Sequence, residues 1–496
     1  MEEGLKSQRE EKATTLRKLG LDPFPAQVDR THTAKEVISI IADFSDDKTS
    51  DESTKVSITG RIMARRSMGR ASFFDIADGT SRIQILFRKN TLPENLYENL
   101  NLLDIGDFIS VAGYPMKTRT GESTVEAQDW KVITKSLLPP PEKFHGLKNI
   151  EIRQRQRYLD LMANDDVKSR FLLRSAITGA IRAYLKRKDY IEVETPILQP
   201  EAGGAAAKPF TTHANALNEE RYLRISLELY LKRLIIGGYE RVFEIGKIFR
   251  NEGFSNKHHP EFTMLEAYAA YTSYLDVATL VEDMICTIAK EVLGKTTIQI
   301  GDSEVSLEPP WNRITLHDAL EKFGNFNLNS YTTTESLADA LKQKKIPLPE
   351  KYNYGKLVDV AMSALVEPKL IEPTFLLDYP VELSPLAKRI PGNPKLVERF
   401  EAFLGGMELA NAYSELNDPI DQRARFEKQK ELKAAGDEDA ELLDEDFLEA
   451  LEHGMPPTGG LGIGIDRLVL LLLGEENIRE VIFFPQHRNL SESEED

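Results

Sequence analysis

RVFEIGKIFRNEGFSNKHHPEFTMLEAYAAY, residues 241–271, is the stretch from which the rest of the chain is read. Two apolar runs flank a polar loop that contains Gly253. In the first run Phe243, Ile245 and Phe249 share one parity, that of a core face. Glu244, Gly246, Ile248 and Arg250 share the other. The second run puts Phe262, Met264, Glu266 and Tyr268 on one face. Pairing of the two strands gathers Arg250, Phe262, Glu266 and Tyr268 on a single surface. A guanidinium offers a phosphate two parallel hydrogen bonds, and an aromatic plate, a carboxylate and a phenol beside it suit a nucleotide and a small charged substrate. The same spacing also fits an ordinary antiparallel hairpin with a solvated Arg–Glu pair, which contributes little. Spacing alone leaves both open.

Further along, NPKLVERFEAFLGGMELANAYSELNDP (393–419) holds two strand-like runs that meet at Gly405-Gly406, a two-residue hairpin signal. The turn register sets Glu401 opposite Ala410 and Phe403 opposite Glu408. Glu401 and Glu408 then lie diagonally on one face, where two carboxylates repel unless a cation sits between them. Oxygen ligands suit Mg²⁺ bound through a nucleotide's phosphates. An acidic hairpin edge that resists aggregation is the alternative. Asn411, Tyr413 and Glu415 fall on the other parity, so a β-bulge between Glu408 and Asn411 is expected if both sets serve one site.

Upstream, Ser226–Leu234 carries Glu228 among apolar neighbours, where a carboxylate needs a partner. The small-residue run EAGGAAAKPF (201–210) allows a backbone to approach a ligand closely. Val167–Lys188 reads as a long helix with a stripe of Phe171, Ile177, Ile181 and Leu185. A strand is expected over Tyr190–Pro196. Between 272 and 373 the pattern is mixed helical and suggests an inserted subdomain.

The N-terminal third has a different texture. Residues 1–19 have helical composition and stop at Gly20 and Asp22-Pro23-Phe24-Pro25. The polar stretch 45–54 reads as a loop. From Val56 to about Ile133, five short strands with turn signals suggest a small barrel of the OB type, a platform for single-stranded nucleic acid. One of Phe73 and Phe74 must be core by parity. Residues 55–89 carry eight Lys/Arg against Asp75 and Asp78, although the whole chain has a net charge of −17. The opposite bias lies at Asp437–Glu452, nine acids and no base, read as a solvated face. The proline-rich 137–148 is a linker, and the SESEED tail is expected to be disordered.

At 496 residues the chain holds two or more domains. Its single cysteine, Cys286, excludes an intrachain disulfide and a multi-cysteine zinc site. No run is apolar enough to span a membrane and the N-terminus lacks a secretory apolar region, so a cytoplasmic location is expected.

Phe249-Arg250-Asn251-Glu252 with His258-His259-Pro260-Glu261-Phe262 resembles motif 2 of the class II aminoacyl-tRNA synthetases. The helix-strand-proline segment at 167–196 resembles motif 1, and GGLGIGIDRLVLLLL (459–473) resembles motif 3. The stretches 203–217 and 227–246 are similar to the lysine-specific branch, and the resemblance covers nearly the whole chain. It implies an α+β multidomain fold: an N-terminal helical extension (1–54), an OB-fold anticodon-binding domain (55–136) and, after the linker, a catalytic domain (149–496) with an antiparallel sheet flanked by helices. It implies a homodimer that activates L-lysine with ATP, uses Mg²⁺ and transfers lysine to tRNA. Carried over by position, ATP falls to Arg250, Glu252, His258, Phe262 and Arg467, with Arg250 also catalytic. Lysine falls to Glu228, Tyr268, Asn411, Tyr413 and Glu415. The metal falls to Glu401 and Glu408, and the anticodon to Arg66, Phe73 and Gln84. Lys257 and His259 depart from the Arg and Asn typical of the motif 2 loop, which weakens the case for His258 as a phosphate contact. The alternatives are an aspartyl- or asparaginyl-type synthetase, a protein-lysylating relative, and a nucleic-acid-binding regulator with an inactive synthetase fold. An aspartate pocket wants cations where Glu228 and Glu415 stand.

Overall fold

The structure is a computed structural model that describes residues 2–45, 49–141, 147–434 and 444–487. The chain divides into two compact units, Met1–Lys148 and Asn149–Asp496. The expected disorder of the tail, the middle of the linker and the first part of the acidic run lie outside the described residues.

In the first unit the helix α1 (Glu2–Lys18) ends where Gly20 predicts, and a second helix, α2 (Ala34–Ala42), follows behind a Thr33–Glu36 capping box. The strands β1 (Val56–Met68), β2 (Ala71–Ala77), β3 (Arg82–Arg88), β4 (Phe108–Lys117) and β5 (Ser123–Thr134) close into a barrel in the order β1-β2-β3-β5-β4. Alternation is the cause: on β2 Phe74 and Ile76 point into the core while Phe73 and Asp75 point out. Phe74 packs edge-on against Phe87 at 5.0 Å.

The second unit is built on a nine-stranded sheet. Its elements in chain order are α3 (Asp165–Arg187), β6 (Ile191–Glu192), α4 (Glu228–Ile236), β7 (Arg241–Phe249), β8 (Glu261–Ala270), α5 (Tyr274–Ile288), β9 (Asn312–Thr315), α6 (Leu316–Gly324), α7 (Thr334–Gln343), α8 (Tyr354–Leu365), β10 (Thr374–Pro380), β11 (Asn393–Leu404), β12 (Met407–Ser414), α9 (Glu445–Glu452), β13 (Thr458–Gly464) and α10 (Ile465–Leu473). The strand order is β9-β10-β11-β12-β13-β8-β7-β6, with Arg389–Ile390 added beside β11. All pairings are antiparallel except the two outermost, β9 with β10 and β6 with β7.

Four readings of the sequence are corrected. The strand expected over 190–196 is only Ile191–Glu192, because the Glu244 carboxylate takes the Thr195 N–H at 2.9 Å in place of a ladder partner. The interval 272–373 is not a separate helical insertion. Its helix α5 packs in the main core with Val281 and Ile285, and β9 is the edge of the main sheet. Only α6, α7 and α8 form their own cluster, and that cluster closes on Leu376, Tyr379 and Phe403 of the sheet. The acidic run is not wholly a solvated face, since α9 buries Phe447, Leu448 and Leu451. In the Gly405-Gly406 hairpin Phe403 faces Glu408 as expected, but Glu401 faces Asn411 rather than Ala410.

That last shift is the expected bulge. The ladder steps from Ala402↔Ala410 to Phe403↔Glu408, so Leu409 is the extra residue. It changes parity, and Glu408, Asn411 and Tyr413 thereby share the face of Arg399 and Glu401.

Candidate active site

The site lies across the middle of the sheet. Gly460 of β13 pairs with Tyr268 on one side and Tyr413 on the other; Gly462 pairs with Glu266 and Asn411. Bare backbone therefore forms a floor between two rows of functional side chains. A Cβ at Gly460 would collide with Glu415 Oε1 and with the Tyr268 ring, so only glycine fits. Gly246 has a similar reason: a Cβ there would strike Arg224, which bonds the Glu244 carboxylate at 2.6 Å.

Two adjoining cavities result, of about 280 Å³ and 180 Å³. The larger is bounded by Glu228, Glu266, Tyr268, Tyr413 and Glu415, with the 204–206 backbone as its lid. The smaller is bounded by Glu252, His258, Phe262, Glu408 and Arg467. Arg250, Met264, Asn411 and Gly462 border both. Arg250 thus stands at the junction, its guanidinium 5.3 Å from the Phe262 ring centre.

The larger cavity is lined by the buried acids Glu228, Glu266 and Glu415. Glu266 accepts hydrogen bonds from the Ser226 hydroxyl (2.9 Å), the Leu227 N–H (2.9 Å) and the Tyr268 hydroxyl (3.0 Å). Burial and the neighbouring charge of Glu228 still push its carboxyl up to about 7. Glu415 is 1% exposed and its Oε1 has no hydrogen-bond partner. Burial pushes it up to about 8, while the ammonium of Lys232 pulls against that rise. Lys232, wholly buried on α4, touches both Glu228 and Glu415. Across the sheet the Asn411 amide donates to the Tyr413 hydroxyl at 3.2 Å, and Arg399 donates to the Asn411 side-chain oxygen at 3.2 Å.

The groups of the smaller cavity engage one another. Arg467, in the first turn of α10, donates to the Glu408 carboxylate (3.0 Å) and to its carbonyl (3.1 Å). It also lies 2.9 Å from His258 Nε2. An arginine only donates, so this nitrogen accepts and His258 is neutral. Burial first, then the charge of Arg467, holds the His258 ring below its ordinary value. Asp466 anchors the same turn by accepting the Thr263 N–H at 2.6 Å and pairing with Arg174 of α3 at 2.6 Å.

Glu401 borders neither cavity. Its two oxygens accept from Arg399 (2.5 Å) and the Tyr379 hydroxyl (2.9 Å). Burial, with the charges of Glu408 and Asp359, pushes it up to about 7, and Arg399 acts in the opposite sense. Excess negative charge of this kind fits a divalent cation. Each carboxylate oxygen has two lone pairs, so these bonds leave Glu401 with acceptor capacity. With Glu408, which faces the smaller cavity, the donor set fits Mg²⁺.

In the barrel, Arg66, Phe73 and Gln84 share the outer face of three adjacent strands. Arg66 is opposite Phe73, and Asp75 is opposite Gln84. Arg66 is exposed, Phe73 is half-buried, and Gln84 is buried with its side-chain oxygen accepting from the Thr124 hydroxyl at 3.1 Å.

The family described as tRNA synthetases class II (D, K and N) matches residues 149–488, and an OB-fold nucleic acid binding domain matches 56–133. The chain belongs to the class II (D, K and N) tRNA synthetases. Among its relatives are proteins named "Lysine--tRNA ligase". One from Dehalococcoides mccartyi is 49% identical over 98% of this chain and 97% of its own. One from Pelotomaculum thermopropionicum is 50% identical over 96% and 93%, and one from Bacillus subtilis is 47% identical over 97% and 96%. Lys232 and Arg399 escaped the sequence reading, yet each had a signal. Lys232 is four residues after Glu228 on a helix, and Arg399 two residues before Glu401 on a strand.

Proposed function

We infer that the chain is a lysine–tRNA ligase, which joins L-lysine to ATP as lysyl-adenylate with release of pyrophosphate and then transfers lysine to the terminal ribose of tRNA. The observation that carries this reading is the buried, unpaired Glu415 oxygen at the floor of a cavity whose mouth is Arg250. An ammonium at the end of a chain suits the first, a carboxylate the second. Glu228 accepts from the α-amino group. Tyr413 and Asn411 pack along the stem, and Tyr268 closes over the end. An aspartate side chain reaching the far end of that space would meet Glu228, Glu266 and Glu415, with Lys232 already held by two of them, which disfavours the aspartyl and asparaginyl readings.

The substrate carboxylate is already ionised, so the first step needs no general base. Arg250 holds it beside the α-phosphate, and positioning with charge stabilisation lowers the barrier. Phe262 and Arg467 take the two faces of adenine, Glu252 its edge, and His258 the distal phosphates. Arg467 must leave Glu408 to do this. Glu401 and Glu408 would hold Mg²⁺, which when bound neutralises and orients the phosphates. On the barrel, Phe73 offers a ring for stacking, with Arg66 on the backbone and Gln84 on a base edge of the anticodon.

A homodimer is also proposed. Around the motif 1 segment Leu172, Ile191, Leu198 and Phe484 are half or more exposed, an apolar surface of the kind that associates. No helix among the described residues is long and apolar enough to cross a membrane.

The test is ATP–pyrophosphate exchange with each of the twenty amino acids in turn. Lysine is expected to support it alone. Exchange with aspartate or asparagine, or with no amino acid, overturns the reading. Phe73→Ala is expected to raise KM for tRNA about 5- to 100-fold, the worth of one stacked base, with exchange unchanged.

A further inference from the structure

Lys232 lies behind the wall of the amino-acid cavity, not in it. Its side chain is 0% exposed and its Nζ sits between Glu228 Oε1 and Glu415 Oε2. The Phe447 ring lies 5.9 Å from the same nitrogen. The other Glu415 oxygen, Oε1, has no hydrogen-bond partner and lies where a Cβ on Gly460 of the cavity floor would fall. On the reading above, Glu228 and Glu415 receive the two amino groups of lysine. One buried cation therefore clamps both recognition carboxylates from the back.

We propose that Lys232 is a positioning residue for lysine specificity: its ammonium holds Glu228 and Glu415 from behind and fixes the spacing at which they receive the α- and ε-ammonium groups. This rests on the lysine–tRNA ligase assignment. The electrostatics support it. Lys232 pulls against the rise that burial, Glu228 and Glu266 impose on the Glu415 carboxyl. Without that ammonium the carboxyl takes up a proton more readily. Substrate then has to displace that proton to bind.

The groups that face Glu415 are Lys232 and Glu228 from α4, Glu266 and Tyr268 from β8, and Tyr413 from β12. Its carboxyl is raised in the free enzyme, so lysine binds more tightly as pH rises toward about 8. Removing Lys232 moves that inflection to higher pH.

The experiment measures KM for lysine between pH 6 and 9.5 in Lys232→Met and Lys232→Arg, with ATP affinity measured separately without lysine. Lys232→Met is expected to raise KM for lysine on the order of 100-fold at pH 7, with the deficit shrinking as pH rises. ATP affinity should stay within about twofold, and discrimination against ornithine should fall. Lys232→Arg, which keeps the cation, should restore the wild-type inflection. An unchanged inflection in Lys232→Met, or a loss of lysine and ATP affinity together at every pH, overturns the proposal. Should neither variant fold, wild-type calorimetry at pH 7 in buffers of different ionisation enthalpy decides. Release of at most about one proton on lysine binding supports two carboxylates shared on one ammonium, and release near two overturns it. Failure of wild-type exchange with lysine would instead overturn the assignment itself.

Discussion

The two cavities share a wall and solve opposite problems. The amino-acid cavity is built from groups taken out of water and paired in advance: Glu228 and Glu415 on Lys232, and Glu266 on Ser226, Leu227 and Tyr268. The nucleotide cavity is built from half-exposed groups that occupy one another: Arg467 on Glu408 and His258. Burial makes each charge in the first costly to lose, because the partner left behind cannot turn to water. In the second, water can replace what a substitution removes. Discrimination among small amino acids needs the first kind of site. Binding a nucleotide already rich in charge can use the second.

Arg250 is where the comparison should break, since it borders both cavities. Arg250→Ala is expected to lower kcat/KM by about 10⁴. One preorganised donor is worth on the order of 10²–10³, and this one meets two substrate groups. Steady-state exchange at varied lysine and ATP checks it. A loss confined to one substrate's KM would mean that the residue serves only one cavity.

Substitutions inside the amino-acid cavity come next. Glu415→Gln removes a buried carboxylate and leaves Lys232 with one partner, a cost of roughly 3–5 kcal/mol. KM for lysine should rise by two to three orders of magnitude, while ATP binding measured without lysine is kept. Gly460→Ala should have a comparable effect by a different route, since its methyl group enters the space of Glu415 Oε1. An unchanged KM for lysine in both would remove Glu415 from the pocket.

Much of this asymmetry was hidden in the sequence, for a physical reason. Parity alone gathers Arg250, Phe262, Glu266 and Tyr268, and the clash of two parities after Gly406 requires the bulge found at Leu409. Such features are local, fixed by the period of a strand. Lys232 and Arg399 each have one partner at the local period, Glu228 and Glu401, but their second partners, Glu415 and Asn411, lie on other segments, and no period marks those. Glu401 shows the same limit. Its position on the face was legible, but its withdrawal from the cavity depends on Tyr379, 22 residues away. The α5 and β9 segments were misread because a buried helix and a short edge strand have no chemical motif.

Substitutions in the nucleotide cavity should cost less. Arg467→Ala is expected to raise KM for ATP about 5- to 30-fold, the worth of a cation–π contact of roughly 1–2 kcal/mol. KM for lysine should stay unchanged. A larger effect on lysine than on ATP would erase the division between the two sides.

His258 gives the smallest and most specific effect. Its Nε2 accepts from Arg467 only while unprotonated. Burial and the Arg467 charge lower its pKa, so the neutral ring persists at pH 7 and is lost only as pH falls through the depressed value. KM for ATP at saturating lysine should therefore rise on the acid side and be flat above it. His258→Gln keeps a side-chain oxygen to accept from Arg467 and removes the titration. Its KM for ATP should lie within about fivefold of the wild type at pH 7 and lose the acid-side rise, since one hydrogen bond to a charged group is worth about 1.5–3 kcal/mol and the amide keeps most of it. An acid-side rise that persists in this variant would assign the titration to another group, and the smaller cavity would then hold a buried charge of the kind that defines its neighbour.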